Sequence, residues 1–290
     1  MREESAAKKL QARDLPRVLE LARSAGWNQS LADLERMLHF APDSCFGLWR
    51  DARLLSTAMA FSYPPELGWV AMVLTDPAAR GQGFATMLTQ HAVDWLRGQQ
   101  VAWIKLDASP RGQPIYERLG FVTESRMERR LPEPGFPTRP FSIHLEIPAR
   151  DGFALTALPL ALDRKAFGAD RTRLLGLISG MPGMRIAVLP DGAGYAMLRP
   201  GSNATQLGPM VCEHPAGAEE LLAWAMAATH GEPLQWDLDT ANSGALQLAE
   251  KYQFRAQRVL ARMRLAGQPG ARDFAGDASL VYAIGGFDFG

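Results

Sequence analysis

Arg80-Gly81-Gln82-Gly83-Phe84-Ala85 is the stretch that decides the fold of this 290-residue chain. Ahead of it, Gly68-Trp69-Val70-Ala71-Met72-Val73-Leu74 is an apolar run of strand length. Behind it, Phe84, Met87, Leu88, Ala92, Trp95 and Leu96 recur at helical spacing up to Gly98, a natural helix stop. A strand that feeds a glycine-rich turn opening a helix makes an anion site. The first amides of the helix have no internal partner, the helix dipole favours negative charge there, and glycines let the backbone reach a phosphate. The spacing predicts a grip on a pyrophosphate.

Three phosphate-binding patterns compete for that loop. A Walker loop requires G-x-x-x-x-G-K-[S/T], and no lysine follows Gly83. A dinucleotide fingerprint, G-x-G-x-x-G/A, meets Thr86 at its last position, and no strand ending in an acidic residue stands at the usual distance. The third pattern, R-x-x-G-x-A, is Arg80, Gly83 and Ala85, and it resembles the acetyl-CoA loop of the GNAT superfamily of N-acetyltransferases. A second segment supports it. Ile104 to Ala108 reads as a short buried strand, and after Ser109 the run Tyr116-x-x-x-Gly120-Phe121 resembles the GNAT signature that follows the fifth strand. Gly120 suits a helix C-cap, and Phe121-Val122-Thr123 opens the next strand. Trp27-Asn28-Gln29, Leu106-Asp107-Ala108 and Gly112-x-Pro114-x-Tyr116 are similar to a bacterial GNAT subgroup with a second, C-terminal GNAT-like domain. Ser109 stands where many members have Asn, and Gly112 where many have Ala.

Composition bounds the partners. Lys+Arg and Asp+Glu are equal at 31 each, so no overall field recruits nucleic acid or an anionic membrane. The basic group Arg126, Arg129 and Arg130 reads as a solvated strand face. An apolar share of 47% with 21% charged residues is that of a soluble globular protein. Cys45 and Cys212 are too isolated for a disulfide framework and fit a reducing compartment. The first nine residues hold no apolar core of a signal peptide, which makes cytoplasmic the expectation.

The predicted elements begin with a strand at Leu10–Arg13 and a helix capped by Asp14, with Pro16 in its first turn. A second helix starts at Ser30 with Asp33. Paired strands follow at Cys45–Trp49 and Leu54–Tyr63 across Asp51-Ala52, giving the order β-α-α-β-β-β-α-β-α-β. Prolines 132, 134, 137 and 140 with Gly135 break regular structure. They divide the chain into domains 1–134 and 139–290. An internal repeat agrees with that cut: Leu106-Asp107-Ala108 recurs as Leu238-Asp239-Thr240, Glu117-Arg118-x-x-Phe121 as Glu250-Lys251-x-x-Phe254, and Leu67-Gly68 as Leu207-Gly208. The second copy lacks R-x-x-G-x-A, has Ala249 in the place of Tyr116, and carries Glu219 and Glu220 near a helix start. The fold class expected is α/β with a mixed sheet, as two tandem GNAT-like domains of which the second is degenerate.

The resemblance implies a function and a set of roles. Arg80, Gly81, Gln82, Gly83, Phe84, Ala85 and Thr86 would hold the pyrophosphate of acetyl-CoA. Val73, Leu74 and Thr75 would pair with the pantetheine arm, one amide among them polarising the thioester carbonyl, and Ser109 would add a polar contact near it. Tyr116 would be the general acid that protonates the departing thiolate; a packed aromatic is its other reading. Asp107 is a candidate base or a cap for the next segment, and Glu66 a candidate base or a solvated carboxylate. Trp27 and Asn28, with Gln29, and Trp69 would line the acceptor pocket, or serve as core and turn. The activity implied is transfer of an acetyl group to a primary amine of a small molecule by direct attack, with no metal; a homodimer stays open. A protein N-acetyltransferase and a non-catalytic acyl-CoA sensor are the alternatives. Cys45 and Cys212 read as buried structural thiols and His91 as a packing residue.

Overall fold

The computed structural model describes residues 6–133, 155–229 and 231–290, so the proline-rich boundary expected at 134–139 lies outside the described residues. The chain forms two compact units, one of Met1–Thr123, Met263–Asp273 and Phe289, the other of Glu124–Arg262, Phe274–Asp288 and Gly290.

The first unit opens with β1 (Lys8–Lys9) and a 3₁₀ turn at Ala12–Asp14, not with the strand expected at Leu10–Arg13. Asp14 causes the difference. Its carboxylate accepts the Gln11 backbone N–H at 2.8 Å, which curls the chain and leaves no side-chain cap for helix α1 (Leu15–Ser24). Helix α2 (Leu31–Phe40) starts as predicted: Ser30 accepts the Asp33 N–H, and the Asp33 carboxylate accepts the Ser30 N–H at 2.7 Å, a capping box.

Strands β2 (Cys45–Arg50) and β3 (Arg53–Tyr63) form a hairpin in which Asp51 and Ala52 both take positive φ, the backbone of a tight two-residue turn. Strand β4 (Leu67–Thr75) pairs antiparallel with β3, and helix α3 (Phe84–Gly98), strand β5 (Trp103–Ala108) and helix α4 (Gln113–Arg118) follow. The order within this unit is β1-β2-β3-β4-β5. Gly68 faces α3, because a Cβ there would meet Leu96 and Val101. Alternation along the strand then sends Trp69 to the opposite face, beside its cross-strand partner Phe61. Residues 263–273 close the unit, with the Gly267 N–H on Ala102 O at 2.8 Å and the Trp103 indole N–H on Arg272 O at 2.7 Å.

The second unit takes in most of β6 (Val122–Pro132), the strand that follows α4 in sequence. It also holds α5 (Leu160–Phe167), α6 (Thr172–Ser179), β7 (Arg185–Val188), β8 (Gly194–Arg199), β9 (Thr205–Cys212), α7 (Pro215–Ala228), β10 (Leu234–Asp239), α8 (Ser243–Lys251), β12 (Val281–Ala283) and β11 (Phe254–Ala266) as far as Arg262. The α-α-β-β-β-α-β-α-β series of the first half therefore recurs. The order is β11-β6-β10-β9-β8-β7, with β12 on β9. Strand β6 runs antiparallel to β10, Arg130 opposite Trp236 and Met127 opposite Asp239. Its inner face carries charge: the Arg129 guanidinium grips the Asp237 carboxylate through two bonds of 2.8 Å. Arg129 is therefore held in a part-buried ion pair with the buried Asp237, which corrects its reading as part of a solvated face. Apolar residues of β8, β9 and β10 pack under α7 and α8, with Trp236 and Leu238 fully buried.

Candidate active site

The site begins at a flaw in the first sheet. Thr57 pairs with Leu74 and Met59 with Ala71, so β4 spends one residue more than β3 between the same two rungs. The extra residue is a β-bulge, and Met72 within it takes φ +50°. On the other edge of β4, the parallel register with β5 runs over Leu67↔Trp103, Gly68↔Ile104 and Trp69↔Lys105 and ends there. Both strands continue, β4 to Thr75 and β5 to Ala108. The two strands part company beyond Trp69, and Val73 to Thr75 lie on the unzipped length. Val73 and Thr75 are partly exposed, whereas Leu74 is buried.

The chain leaves β4 through Asp76, which fixes the loop. Its carboxylate accepts the Ala78 N–H and bonds the guanidinium groups of Arg53, at 2.6 Å, and Arg17. The Ala78 N–H first, then the two arginines, hold this carboxyl below its ordinary value against the opposing effect of burial. An Asp with a lowered folded pKa contributes stability that is present above its unfolded value near 3.8 and is lost as pH falls through the folded one. Asp76→Asn keeps the shape but removes the charge that both guanidinium groups bond, so a loss of about 1–3 kcal/mol is expected in urea unfolding at neutral pH. The gap from wild type should narrow below pH 4.

Arg80 to Gly83 follow, all exposed. Gly81 takes φ +76° and Gly83 φ +83°, and a Cβ on either would have nothing within 4 Å. The backbone is thus open to an approaching group and bent in a way that side chains resist. Gly83 caps α3 with no side-chain hydrogen bond, in contrast to the Ser30–Asp33 box on α2. The first amides of α3 are consequently left for a ligand. Arg50 donates to Gln82 Oε1 at 2.8 Å and lies over the Phe84 ring, which ties the loop to the β2–β3 hairpin. A groove of about 1450 Å³ borders the loop, and Lys8, Lys9, Arg13 and Arg50 give it basic character. Acyl-CoA is a group these residues fit: an uncapped helix start and two open glycines suit a diphosphate, and an unzipped strand edge suits an amide-bearing arm.

After β5, the Ser109 hydroxyl accepts the Gly112 N–H at 3.2 Å and so shapes the turn into α4. Tyr116 is buried on α4, its ring edge-on to Phe121 with centroids 6.1 Å apart. A Cβ on Gly112 would sit 3.0 Å from the Tyr116 ring, so the glycine leaves the ring its space. Burial pushes the phenol above its ordinary value of 10. Asp107 is partly exposed at the end of β5. Glu66 is in the turn before β4, about 20 Å of extended strand ahead of Val73, too far for direct proton transfer there.

The expected acceptor residues fall into two groups. Trp27, Asn28 and Gln29 fill the link between α1 and α2, the two amide residues buried and Trp27 half-buried. Trp69 is 1% exposed on the face opposite α3. Near it on β3 stand Phe61 and Tyr63, with Phe40 of α2 5.8 Å from the Phe61 ring. The sequence reading missed that aromatic set and also Phe289, whose ring lies 5.0 Å from Phe61 and whose carbonyl accepts the Tyr63 hydroxyl.

Cys45 is fully buried, and burial pushes its thiol up to about 12, so it stays protonated at neutral pH. The Cys212 thiol donates to His214 O and is also raised, first by burial. Neither can carry an acyl group as a ready thiolate. Maleimide labelling of the native protein at pH 7 should leave Cys45 unmodified over hours and reach it only on unfolding. His91 packs edge-on against Phe46 at 4.5 Å. Among the described residues no cluster of His, Cys, Asp and Glu is arranged to hold a metal ion, and no helix is long and apolar enough to cross a membrane.

The second unit repeats the scaffold without the loop. Strand β9 ends at Cys212 and α7 starts at Pro215, which leaves Glu213 and His214 where the first unit has its two-glycine turn. Glu219 is engaged elsewhere, accepting from Lys251 and the Tyr252 hydroxyl at 2.6 Å each. The bulge also revises the repeat. Ala196 pairs with Met210 and Leu198 with Leu207, so the extra residue lies at Gly208-Pro209. Counted from the bulge, Gly208 corresponds to Met72 and not to Gly68.

Comparison with known proteins finds two family matches along the chain. The model of the acetyltransferase (GNAT) family matches residues 12–121, and that of an acetyltransferase (GNAT) domain matches residues 160–282. Holothin acyltransferase of Pseudoalteromonas sp. (strain SANK 73390) is 24% identical over 283 residues, covering 94% of this chain and 90% of the relative. Among solved structures, a putative acetyltransferase from Pyrococcus horikoshii is similar with a TM-score of 0.82 at 20% identity, over 100% of this chain and 97% of that one. A tandem GNAT protein from the clavulanic acid biosynthesis pathway is similar with a TM-score of 0.66 at 16% identity, over 92% of this chain and 100% of that one. At such identities the structural likeness speaks for the fold.

Proposed function

The chain belongs to the GNAT family of acetyltransferases, with two GNAT domains in tandem, and is an acyl-CoA-dependent acyltransferase; we propose that its first domain, residues 1–134, moves an acetyl group from acetyl-CoA to a primary amine of a small molecule by direct attack. The observation that carries this reading is the parting of β4 from β5 at Trp69↔Lys105, in line with a loop of two left-handed glycines and an uncapped helix.

Acetyl-CoA supplies an acyl group on a thioester, whose carbonyl carbon is the electrophile. Arg80 adds positive charge to the amides of Gly81 to Thr86 at the diphosphate. The backbone of Val73, Leu74 and Thr75 hydrogen-bonds the arm, and one of these amides stabilises the carbonyl oxygen as it gains charge. Asp107 takes a proton from the protonated amine, directly or through a water, so that the nitrogen lone pair is free to attack. As the new C–N bond forms and the C–S bond breaks, Tyr116 gives its phenolic proton to the sulfur, and the proton still carried by the acylated nitrogen passes to the Tyr116 oxygen, leaving a neutral amide. Ser109 orders the turn beside the arm. Trp27, Asn28 and Trp69 bound the acceptor, which two amide-bearing neighbours and an aromatic wall would suit to a compact polar amine. The reaction belongs to a reducing cytoplasm, in keeping with the free thiols of Cys45 and Cys212.

The experiment is thiol release from acetyl-CoA across polyamines, amino acids, aminoglycosides and arylamines, with peptides as the other arm. Turnover on a small amine, with the product mass raised by one acetyl group, is the expected result. Turnover confined to peptides would move the assignment to protein acetylation, and acetyl-CoA binding without turnover in either arm would favour a sensor.

A further inference from the structure

The second domain repeats the forked sheet and fills the fork with its own chain. On one edge, β9 is paired by β8 at Met210, Val211 and Cys212. Strand β12 pairs antiparallel with the same Met210 and Val211, so it must lie on the other edge, the one that faces β10. Across from β9 it meets β10: the Ile284 N–H donates to Asp237 O at 3.0 Å, and the Trp236 indole N–H donates to Tyr282 O at 2.7 Å. The direct register of β9 with β10 stops at Leu207↔Trp236, which is where β12 takes over.

The residues around the fork are fitted to that strand. The Asn242 side-chain amide donates toward three carbonyls, of Ala278, Ser279 and Val281, at 3.2, 3.0 and 2.9 Å. Asn242 lies in the turn after β10, as Ser109 lies in the turn after β5. Gly208 takes φ +133°, and a Cβ there would collide with the Ile284 carbonyl. Pro209, next in the bulge, has no N–H to offer a thioester oxygen.

We propose that residues 281–284 are the resident ligand of the second domain's acyl-donor fork: an extended backbone lying where the first domain would take a pantetheine arm, and held by the same strand-edge hydrogen bonds. This rests on reading the β4–β5 fork as the acyl-CoA slot. It follows that the chain binds one acyl-CoA, and that the second domain has exchanged a dissociable ligand for a covalently attached one. A tethered segment occupies its slot at an effective concentration that a free ligand does not reach, so saturating acetyl-CoA should not expel it.

Hydrogen exchange on the full chain, with and without acetyl-CoA, reads both domains at once. In the ligand-free protein the Ile284 amide should exchange at least about 100-fold more slowly than an unstructured amide. With acetyl-CoA, residues 73–86 should gain protection, residues 281–284 and 205–212 should not change, and native mass spectrometry should count one acetyl-CoA. Gly208→Ala should speed exchange at 281–284 by about tenfold or more while leaving the acetyl-CoA affinity unchanged. A fast Ile284 amide in the free wild-type chain, loss of its protection when acetyl-CoA is added, or a second bound equivalent would overturn the inference. No gain at 73–86 beside a slow Ile284 amide would count against the first-domain function and still support the filled second fork.

Discussion

Tyr116→Phe should lower kcat by about 100-fold or more at pH 7.5 with little change in the acetyl-CoA KM. In the proposed reaction the proton needed by the departing thiolate comes from this phenol, and a benzene ring has none to give. Two observations separate the catalytic role from a packing one. The ring is buried against Phe121 with Gly112 beside it, and Phe keeps that ring, so thermal unfolding should shift by no more than about 1 kcal/mol. Burial also raises the phenol above its ordinary value, so the group keeps its proton throughout the neutral and mildly alkaline range. Were Tyr116 the acid, its deprotonation would give no descending limb below pH 10, and any rising limb would belong to the base or the amine. A mutant rate equal to wild type would remove the role, and an equal loss of stability and rate would return Tyr116 to the core.

What the sequence disclosed and what it hid divides along the range of the interactions. The loop Arg80–Ala85 and the run Tyr116–Phe121 are local: their glycines, helix start and strand end depend on neighbours a few residues away. The Ser30–Asp33 box was legible for the same reason. Leu10–Arg13 was misread because Asp14 bonds back to the Gln11 amide, a competition that strand propensity does not register. The bulge at Met72 was invisible, since a methionine at φ +50° follows no turn rule and is imposed by pairing with β3. Strand β6 could be predicted as a strand, but its partner β10 lies more than a hundred residues downstream, and nothing in its pattern names that partner. The filled fork needed the fold as well. Val281–Ala283 is too short to announce itself, and Gly208 reads as an ordinary glycine until the Ile284 carbonyl is seen against it. The candidate site followed suit: the glycine turn and the helix start behind it were readable, whereas the aromatic set around Phe61, gathered from distant parts of the chain, was not.

Gly83→Val should raise the acetyl-CoA Kd by about 100-fold, or roughly 2.7 kcal/mol, while the protein stays folded. Two effects add. A left-handed backbone at φ +83° costs a side-chain-bearing residue about 1–2 kcal/mol, and more when it is β-branched, so the loop relaxes toward another shape and its amides lose their common aim. The new methyl groups would also stand where the chain is now open, since a Cβ on Gly83 meets nothing within 4 Å. That empty space decides the interpretation. No protein atom is displaced, so the loss falls on the ligand and not on the core, and a large drop in melting temperature is not expected. Gly98 is the control: it also has nothing within 4 Å of an added Cβ, but it lies at the last turn of α3 with an ordinary helical backbone. Gly98→Ala should therefore stabilise the helix by up to about 1 kcal/mol and leave the Kd unchanged. Isothermal titration of both variants with acetyl-CoA separates the cases. If Gly83→Val bound as tightly as wild type, the diphosphate would have to rest on something other than this loop, and the reading built on Arg80–Ala85 would fall with it.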